Sequence, residues 1–213
     1  MASSPPAGHA ERSSPSRPED YRDRMRRSYA TRDTPWDVGV PAPELLRVLD
    51  HGQFRGKRVL EMGCGTGTNS IELARRGYRV TAVDLVDLAL QQAKDKAMRA
   101  NVEIDFRLGD MTTLELGEPF DCLLDVSVYD GIRTRDLAGF QAFLRRVSRT
   151  GTRWLSLAGS ATEPLPNGPP VVGETDFRAE LEPWFKVLDA HEFRYSLAPG
   201  FAPLFWAILM ERR

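Results

Sequence analysis

The sequence predicts an α/β fold. It is a doubly wound, mostly parallel, seven-stranded sheet with helices on both faces and an antiparallel strand supplied by a C-terminal hairpin. Three observations predict it. Strand-like and helix-like segments alternate through the middle of the chain with short connections. A glycine-rich turn, Gly63-Cys64-Gly65-Thr66-Gly67, separates the first strand-like segment from the helix after it. The chain then closes on two apolar segments separated by Pro199-Gly200, a turn signal.

Residues 1–18 are Pro, Ser, Ala and Arg without periodicity, and are expected to be a disordered tail. One domain is expected over 19–213, with 19–52 as an N-terminal helical lid and 160–174 as a loop on the substrate side. A short polar helix is expected from Pro18 to about Ala30. Pro41-Ala42-Pro43 opens a helix through Leu45, Leu46 and Leu49. Lys57–Met62 is a short buried strand, and Asn69–Arg76 a helix stopped by Gly77 at its C-terminal cap. Tyr78–Val83 is rich in β-branched residues and strand-like. Asp87–Ala100 is a helix with Leu90, Ala93 and Ala97 on one side and Asp87 as its expected N-cap. Val102–Leu108 alternates strictly, as a half-solvated strand near a sheet edge would.

Phe120–Leu124 is a buried strand, and Thr134–Val147 a helix whose Leu137, Phe140, Leu144 and Val147 share a face. Trp154–Ala158 is a further strand. A loop with Pro164, Pro166, Pro169 and Pro170 follows, then a short helix near Asp176–Leu181. The last strands are Phe185–Tyr195 and Leu204–Met210.

Bulk properties narrow the function. The chain has 213 residues, enough for one α/β domain with a full core. The net charge of −1 gives no electrostatic case for nucleic acid or an anionic membrane. The cluster Arg22, Arg24, Arg26 and Arg27 is interrupted by Asp23 and is expected to be a solvated helix face. Two cysteines, Cys64 and Cys122, make no disulfide framework. With three histidines they show no metal-ligand spacing, so no metal is expected. No apolar run reaches the roughly 20 residues of a membrane helix, and the N-terminus lacks a secretory apolar core. A cytoplasmic location is expected, as a monomer or homodimer.

The glycine turn carries the chemistry. Glycines between a strand and a helix let the backbone turn tightly and approach a ligand with no Cβ in the way, while the helix N-terminus offers free N–H groups. Asp84 ends the next strand, 21 residues after Gly63. In a Rossmann-like sheet an acid at that place accepts hydrogen bonds from a ribose diol. Its alternative role is to cap the following helix. A nicotinamide-dependent oxidoreductase would use G-x-G-x-x-G; here the spacing is G-x-G-x-G, with Thr68 at the third glycine's place.

Val59-Leu60-Glu61-Met62-Gly63-Cys64-Gly65-Thr66-Gly67, with Asp84 after it, resembles the first motif of class I S-adenosylmethionine-dependent methyltransferases. The resemblance implies S-adenosylmethionine as cofactor and S-adenosylhomocysteine as product. It implies that Glu61 lies under the loop, that Gly63, Cys64, Gly65 and Gly67 run along the methionine moiety, that Asn69 is also a cofactor-binding residue, and that Asp84 and Leu85 meet ribose and adenine. Gly109-Asp110-Met111 resembles the turn at the adenine amino group, where Asp110 can accept an N–H and Met111 can pack on a purine. Asp125, Val126 and Ser127 end the fourth strand beside the methyl group. Tyr29 and Thr34-Pro35-Trp36-Asp37 look like the entrance segment of the thiopurine, thiol and halide methyltransferase branch and its tellurite-resistance relatives. In that branch an aromatic ring closes over the sulfonium, an attraction of roughly 0.5–2 kcal/mol. Trp36 could instead be core, packed on Pro35 and Pro41. Small members often carry Pro-Gly-Gly where this chain has Arg149-Thr150-Gly151-Thr152-Arg153, a difference confined to a turn.

Methyl transfer from a sulfonium releases a neutral thioether, so alignment is the main task. A thiol acceptor needs little base, whereas a hydroxyl or amine needs a general base. Candidates are Asp125, Tyr129 and Asp130, of which Asp125 could only shape the pocket and Tyr129 could be an apolar wall. His191 is expected to be a surface or satisfied histidine. The expected acceptor is a small molecule, a thiol first and a natural-product scaffold second. A small aromatic O- or N-acceptor, an NAD(P)-dependent oxidoreductase and a non-catalytic cofactor-binding module are the alternatives.

Overall fold

The computed structural model describes residues 21–165, 170–198 and 200–213. The expected tail over 1–18, the start of the first helix, Pro166, Pro169 and Pro199 lie outside the described residues. The elements are α1 (Tyr21–Thr31), α2 (Pro43–Asp50), β1 (Arg58–Met62), α3 (Thr68–Arg75), β2 (Arg79–Asp84) and α4 (Asp87–Arg99). They continue as β3 (Asp105–Leu108), β4 (Cys122–Val126), α5 (Tyr129–Val147), β5 (Arg153–Gly159), α6 (Glu174–Leu181), β6 (Phe185–Arg194) and β7 (Leu204–Arg212).

The seven strands form one sheet in the order β3-β2-β1-β4-β5-β7-β6. Strands β1 to β5 pair in parallel, and β7 runs antiparallel between β5 and β6. From β1 the chain winds outward through β2 and β3, then crosses back to β4. The carboxyl ends of β1 and β4 therefore flank the switch point, where such sheets bind ligands.

Both faces of the central strands are covered, which is why their sequences are continuously apolar. Val59, Ala82, Leu124 and Leu155 pack under Leu45, Val48, Leu73 and Leu90 of α2, α3 and α4. Leu60, Met62, Leu123 and Trp154 face Phe140, Phe143, Phe177 and Leu181 of α5 and α6. Helix α1 rides on the start of α4 through Tyr29, Met25, Val86 and Ala89. Arg26 of the basic cluster pairs with Asp87 at 3.0 Å on that exposed seam.

Most element ends shift by a residue or two from the sequence expectation, and the larger departures have local causes. The third strand begins at Asp105 rather than Val102, because the Val102 N–H closes the end of α4 on the Ala97 carbonyl at 3.1 Å. Leu108, expected on the apolar side, is 48% exposed at the sheet edge. The fourth strand starts at Cys122 rather than Phe120, whose N–H binds the Val147 carbonyl instead of a strand neighbour. Helix α5 begins five residues early, at Tyr129, and contains a non-helical Asp136 (φ −154°, ψ 71°). The Asp136 carboxylate accepts the Gly139 N–H at 2.8 Å, so Asp136 caps the second helical piece, whose start lies close to the expected Thr134. Finally, Val86 rather than Asp87 occupies the N-cap position of α4, and Asp87 is its first helical residue. Among the described residues no helix is long and apolar enough to cross a membrane.

Candidate active site

Strand β1 delivers its chain end into the glycine turn, where Gly63, Gly65 and Gly67 have φ of +66°, +53° and +81°. These left-handed values explain the residue type. Each glycine also has a different neighbour. A Cβ on Gly63 would lie 2.3 Å from Val128 Cγ2, on Gly65 3.0 Å from the Tyr29 hydroxyl, and on Gly67 3.0 Å from Ala93 Cβ. So Gly63 lets the segment after β4 approach, Gly65 faces the N-terminal segment, and Gly67 lets α3 and α4 pack closely.

Asp84 meets this turn directly. Its Oδ2 accepts the Gly65 N–H at 2.8 Å and its Oδ1 accepts the Val86 N–H at 2.9 Å. The carboxylate thus joins the loop after β1 to the loop after β2, and also satisfies the backbone at the start of α4. The Val86 contact is the helix-start role that the sequence offered as the alternative for Asp84, and the Gly65 contact sets the same carboxylate beside the glycine turn. Burial raises its pKa, opposed by the N–H groups of Val86 and Gly65. A carboxylate offers about four acceptor positions, so capacity remains for a diol.

Glu61 lies under the turn, 2% exposed. It accepts Asn69 Nδ2 at 3.1 Å and the Ser70 hydroxyl. Burial pushes its carboxyl up to about 7 against those donors. Asn69 Oδ1 in turn accepts the Ala42 N–H at 2.9 Å, tying the start of α2 to the turn. Cys64 is buried with its thiol pushed up, chiefly by burial.

Over Gly65 sits the N-terminal segment. Tyr29 is 7% exposed, and its hydroxyl accepts Trp36 Nε1 at 3.2 Å. The two rings meet edge to face at 6.1 Å. Trp36 is 39% exposed, so it is not core. Asp37 accepts the Thr66 hydroxyl at 2.8 Å and lies 3.5 Å from Lys96 Nζ, which fastens this segment to the turn and to α4. Leu85 is half-buried beside Asp84. The Gly109 N–H binds the Asp84 carbonyl at 3.0 Å, which brings Asp110 and Met111 to the same rim. Asp110 is exposed and accepts the Thr112 N–H at 2.8 Å, while Met111 is half-buried.

The three catalytic candidates are each hydrogen-bonded to protein groups. Asp125 is fully buried; it accepts the N–H groups of Val128 and Tyr129 at 3.2 and 3.0 Å and Trp154 Nε1 at 2.9 Å. It builds the start of α5 and holds β5. Tyr129 is also fully buried, and its hydroxyl donates to Glu180 at 2.6 Å, away from the turn. Glu180 also pairs with Arg133, so this group joins α5 to α6. Asp130 is 1% exposed and accepts the N–H groups of Gly131 and Gly159, at 3.0 and 2.9 Å. Burial pushes its carboxyl up to about 7. All three acids and phenols are spoken for by protein partners. Val126 is half-buried at the end of β4, and Ser127 beyond it has a left-handed φ of +55°. A non-glycine residue in that region stores strain, a feature of ligand-facing turns. His191 pairs with Glu44 and Asp189, each at 3.3 Å, far from this chemistry.

Sequence reasoning missed two residues at the mouth. The Arg135 guanidinium lies 3.8 Å from the centre of the Tyr21 ring, with Arg24 at 5.2 Å from the same ring. Burial raises the Tyr21 phenol, Arg135 lowers it, and Asp84 and Asp130 raise it. The phenol therefore stands within electrostatic reach of the acids after β2 and β4. Arg24 was visible only as part of a basic run, and Arg135 had no motif. A groove of about 780 Å³, lined by Arg58, Arg79, Thr81, Glu103 and Glu118, lies at the opposite, amino ends of β1 and β2 and shares no residue with the turn.

Comparison with known proteins agrees with this geometry. Residues 59–151 match a family described as "Methyltransferase domain". A 2-heptyl-1-hydroxyquinolin-4(1H)-one methyltransferase of Mycobacteroides abscessus is 27% identical over 172 residues, covering 78% of this chain and 75% of that one. A structure described as "Conversion of a Disulfide Bond into a Thioacetal Group during Echinomycin Biosynthesis" superposes with a TM-score of 0.78 at 23% identity, over 91% of this chain and 92% of that one. The 1,6-didemethyltoxoflavin-N1-methyltransferase of Burkholderia thailandensis, solved with S-adenosylhomocysteine, does so with a TM-score of 0.73 at 19% identity, over 90% and 86%.

A parallel sheet in this order, with a glycine turn clasped by an acid at the end of β2, defines a nucleoside-binding α/β enzyme fold. The matched domain and the likeness to the quinolone methyltransferase support a class I S-adenosylmethionine-dependent methyltransferase, with S-adenosylmethionine as the cofactor that this fold takes.

Proposed function

We propose that the chain methylates a small molecule at an atom that is anionic or readily ionised, a thiol first and an acidic hydroxyl of a natural-product scaffold second. The observation that carries this is the state of Asp125, Tyr129 and Asp130. Each is buried and bonded to protein groups, which leaves none of them free to take a proton from a neutral alcohol or amine. A thiolate or an acidic phenolate needs no such base, because its lone pair is exposed by ionisation in solvent. A second reading, transfer to a ring nitrogen, is favoured by the likeness to the toxoflavin enzyme.

The chain's residues have the following roles in this reading. Gly63, Cys64, Gly65 and Gly67 form the bed for the methionine part, with Glu61 and Asn69 bracing it from below. Asp84 takes the ribose hydroxyls, Leu85 and Met111 flank the base, and Asp110 accepts its amino group. Tyr29 and Trp36 roof the sulfonium side, and Val126 borders the methyl group. The bound cofactor supplies an electrophilic methyl group on a positively charged sulfur. The test is a labelled-methyl screen against thiols, halides, phenols and amines, read by mass spectrometry. Label should pass to thiols or acidic hydroxyls; label passing only to aliphatic amines or alcohols would contradict the reading.

A further inference from the structure

We propose that Arg135, laid across the Tyr21 ring at the mouth of the site, is the specificity-determining cation that receives the acceptor in its ionised form. The inference rests on the functional reading above and narrows it to acceptors whose reacting thiol or aromatic hydroxyl is bound as an anion.

Position comes first. Helix α5 starts at the carboxyl end of β4, beside the switch point, and Arg135 stands in its second turn. Two arginines there, 133 and 135, have divided roles. Arg133 turns toward α6, where it pairs with Glu180 and lies 3.5 Å from Asp176. Arg135 turns toward α1, with its guanidinium carbon 3.8 Å from the centre of the Tyr21 ring. A guanidinium against a ring keeps its in-plane N–H donors free for a second, anionic partner. One of those donors reaches only the Gly131 carbonyl, at 3.4 Å, and among the described residues no carboxylate pairs with Arg135.

The surroundings supply the second argument. The charged and titratable groups facing this spot are Tyr21 and Arg24 from α1, Asp84 after β2 and Asp130 of α5. Both acids accept backbone N–H groups, Asp84 from Gly65 and Val86 and Asp130 from Gly131 and Gly159, and among the described residues neither pairs with Arg24 or Arg135. Among the described residues no carboxylate forms an ion pair or hydrogen bond with either guanidinium, so the N–H donors of Arg24 and Arg135 remain open to an anionic ligand. Cations with open N–H donors, beside acids and a phenol already hydrogen-bonded to protein groups, favour a nucleophile that arrives already deprotonated.

The step balances without a base. The acceptor loses its proton to solvent, and Arg135 holds the resulting thiolate or phenolate. Its lone pair forms the new bond to the methyl carbon. The carbon–sulfur bond of the sulfonium breaks, its electron pair stays on sulfur, and a neutral thioether leaves.

The test reads ionisation rather than turnover. 4-Nitrophenol and 4-nitrothiophenol change absorbance when they ionise, and each is titrated with pH on the full chain with saturating S-adenosylhomocysteine. The bound probe should ionise about one pH unit below its free value, a tenfold gain in the ionised-to-neutral ratio, as expected for a cation at close range. Arg135→Gln should return it to the free value, and Arg135→Lys should keep part of the shift. Arg145→Gln is the charge-matched control, since Arg145 stacks on Trp184 at the far end of the same helix; it should behave as wild type. S-adenosylhomocysteine affinity, measured in parallel by calorimetry, should be equal in all four proteins. A bound probe that ionises at or above its free value, an Arg135→Gln protein like wild type, or failure of both probes to bind would overturn the proposal. A wild-type chain that takes up no S-adenosylhomocysteine would instead sink the functional reading beneath it.

Discussion

At the scale of single residues, the site is a set of constraints that each admit few side chains. Gly63 is the tightest. A methyl there would meet Val128 Cγ2 at 2.3 Å in a backbone with φ +66°. Gly77 has a similar φ of +82° but nothing within 4 Å of its would-be Cβ. Gly77→Ala should therefore cost about 1–2 kcal/mol, the left-handed penalty alone. Gly63→Ala should cost about 1–3 kcal/mol more for overpacking. Chemical denaturation of the pair checks this, and equal costs would contradict the packing account. Glu61 supplies a prediction with a sign. Its folded pKa of about 7 lies above its ordinary value, so between about 4.5 and 7 the folded chain binds more protons than the unfolded one. That contribution to stability is fully present below this window and is lost as pH rises through it, by about 1 kcal/mol per pH unit. Asp130, also at about 7, acts in the same direction. Glu61→Gln should flatten the fall in stability between pH 5 and 8; an unchanged slope would place the Glu61 pKa elsewhere. That the glycines, Glu61 and Asp84 meet at one turn was legible in the sequence, because a tight strand-to-helix turn restricts residue type at fixed spacing. Arg135 was not, because a cation that works by stacking on a distant ring leaves no local pattern.

At the scale of elements, the N-terminal segment is held by a few polar ties rather than by a deep core. Asp37 joins the Thr66 hydroxyl and Lys96, and Tyr29 joins Trp36. We therefore expect Asp37→Asn to release cofactor faster, by roughly fivefold for about 1 kcal/mol of lost interaction. Stopped-flow dissociation of S-adenosylhomocysteine measures it; an unchanged rate would remove the segment from the binding site. Helix α5 shows where sequence periodicity stops short. Phe140, Leu144 and Val147 marked its buried stripe correctly, but its first turns are organised by Asp125, whose carboxylate accepts the Val128 and Tyr129 N–H groups. That contact comes from the end of the preceding strand, and no periodicity within the helix encodes it. The same tie explains why Asp125 read as a catalytic candidate. A strand-end acid beside a ligand site and a strand-end acid that starts a helix look alike until its donors are known. The shortened third strand has a similar cause, since Val102 and Ile104 alternate correctly but Val102 is used to finish α4.

At the scale of the whole molecule, the alternation of strands and helices was enough to predict seven strands, helices on both faces and an antiparallel closing strand. The position of β7 between β5 and β6 was not predicted. Nothing in either strand's own pattern says which one inserts, whereas the long antiparallel registers of β7 on both sides do. The central claim is that the turn after β1 and the acid after β2 form a single nucleoside site. Calorimetric titration of S-adenosylhomocysteine into the wild type and the Asp84→Ala variant tests it most directly. The account predicts one ligand per chain in the wild type, and affinity lower by ten- to a hundredfold in the variant, for the roughly 1.5–3 kcal/mol of a charge-assisted hydrogen bond. Equal affinity in the two proteins would contradict it.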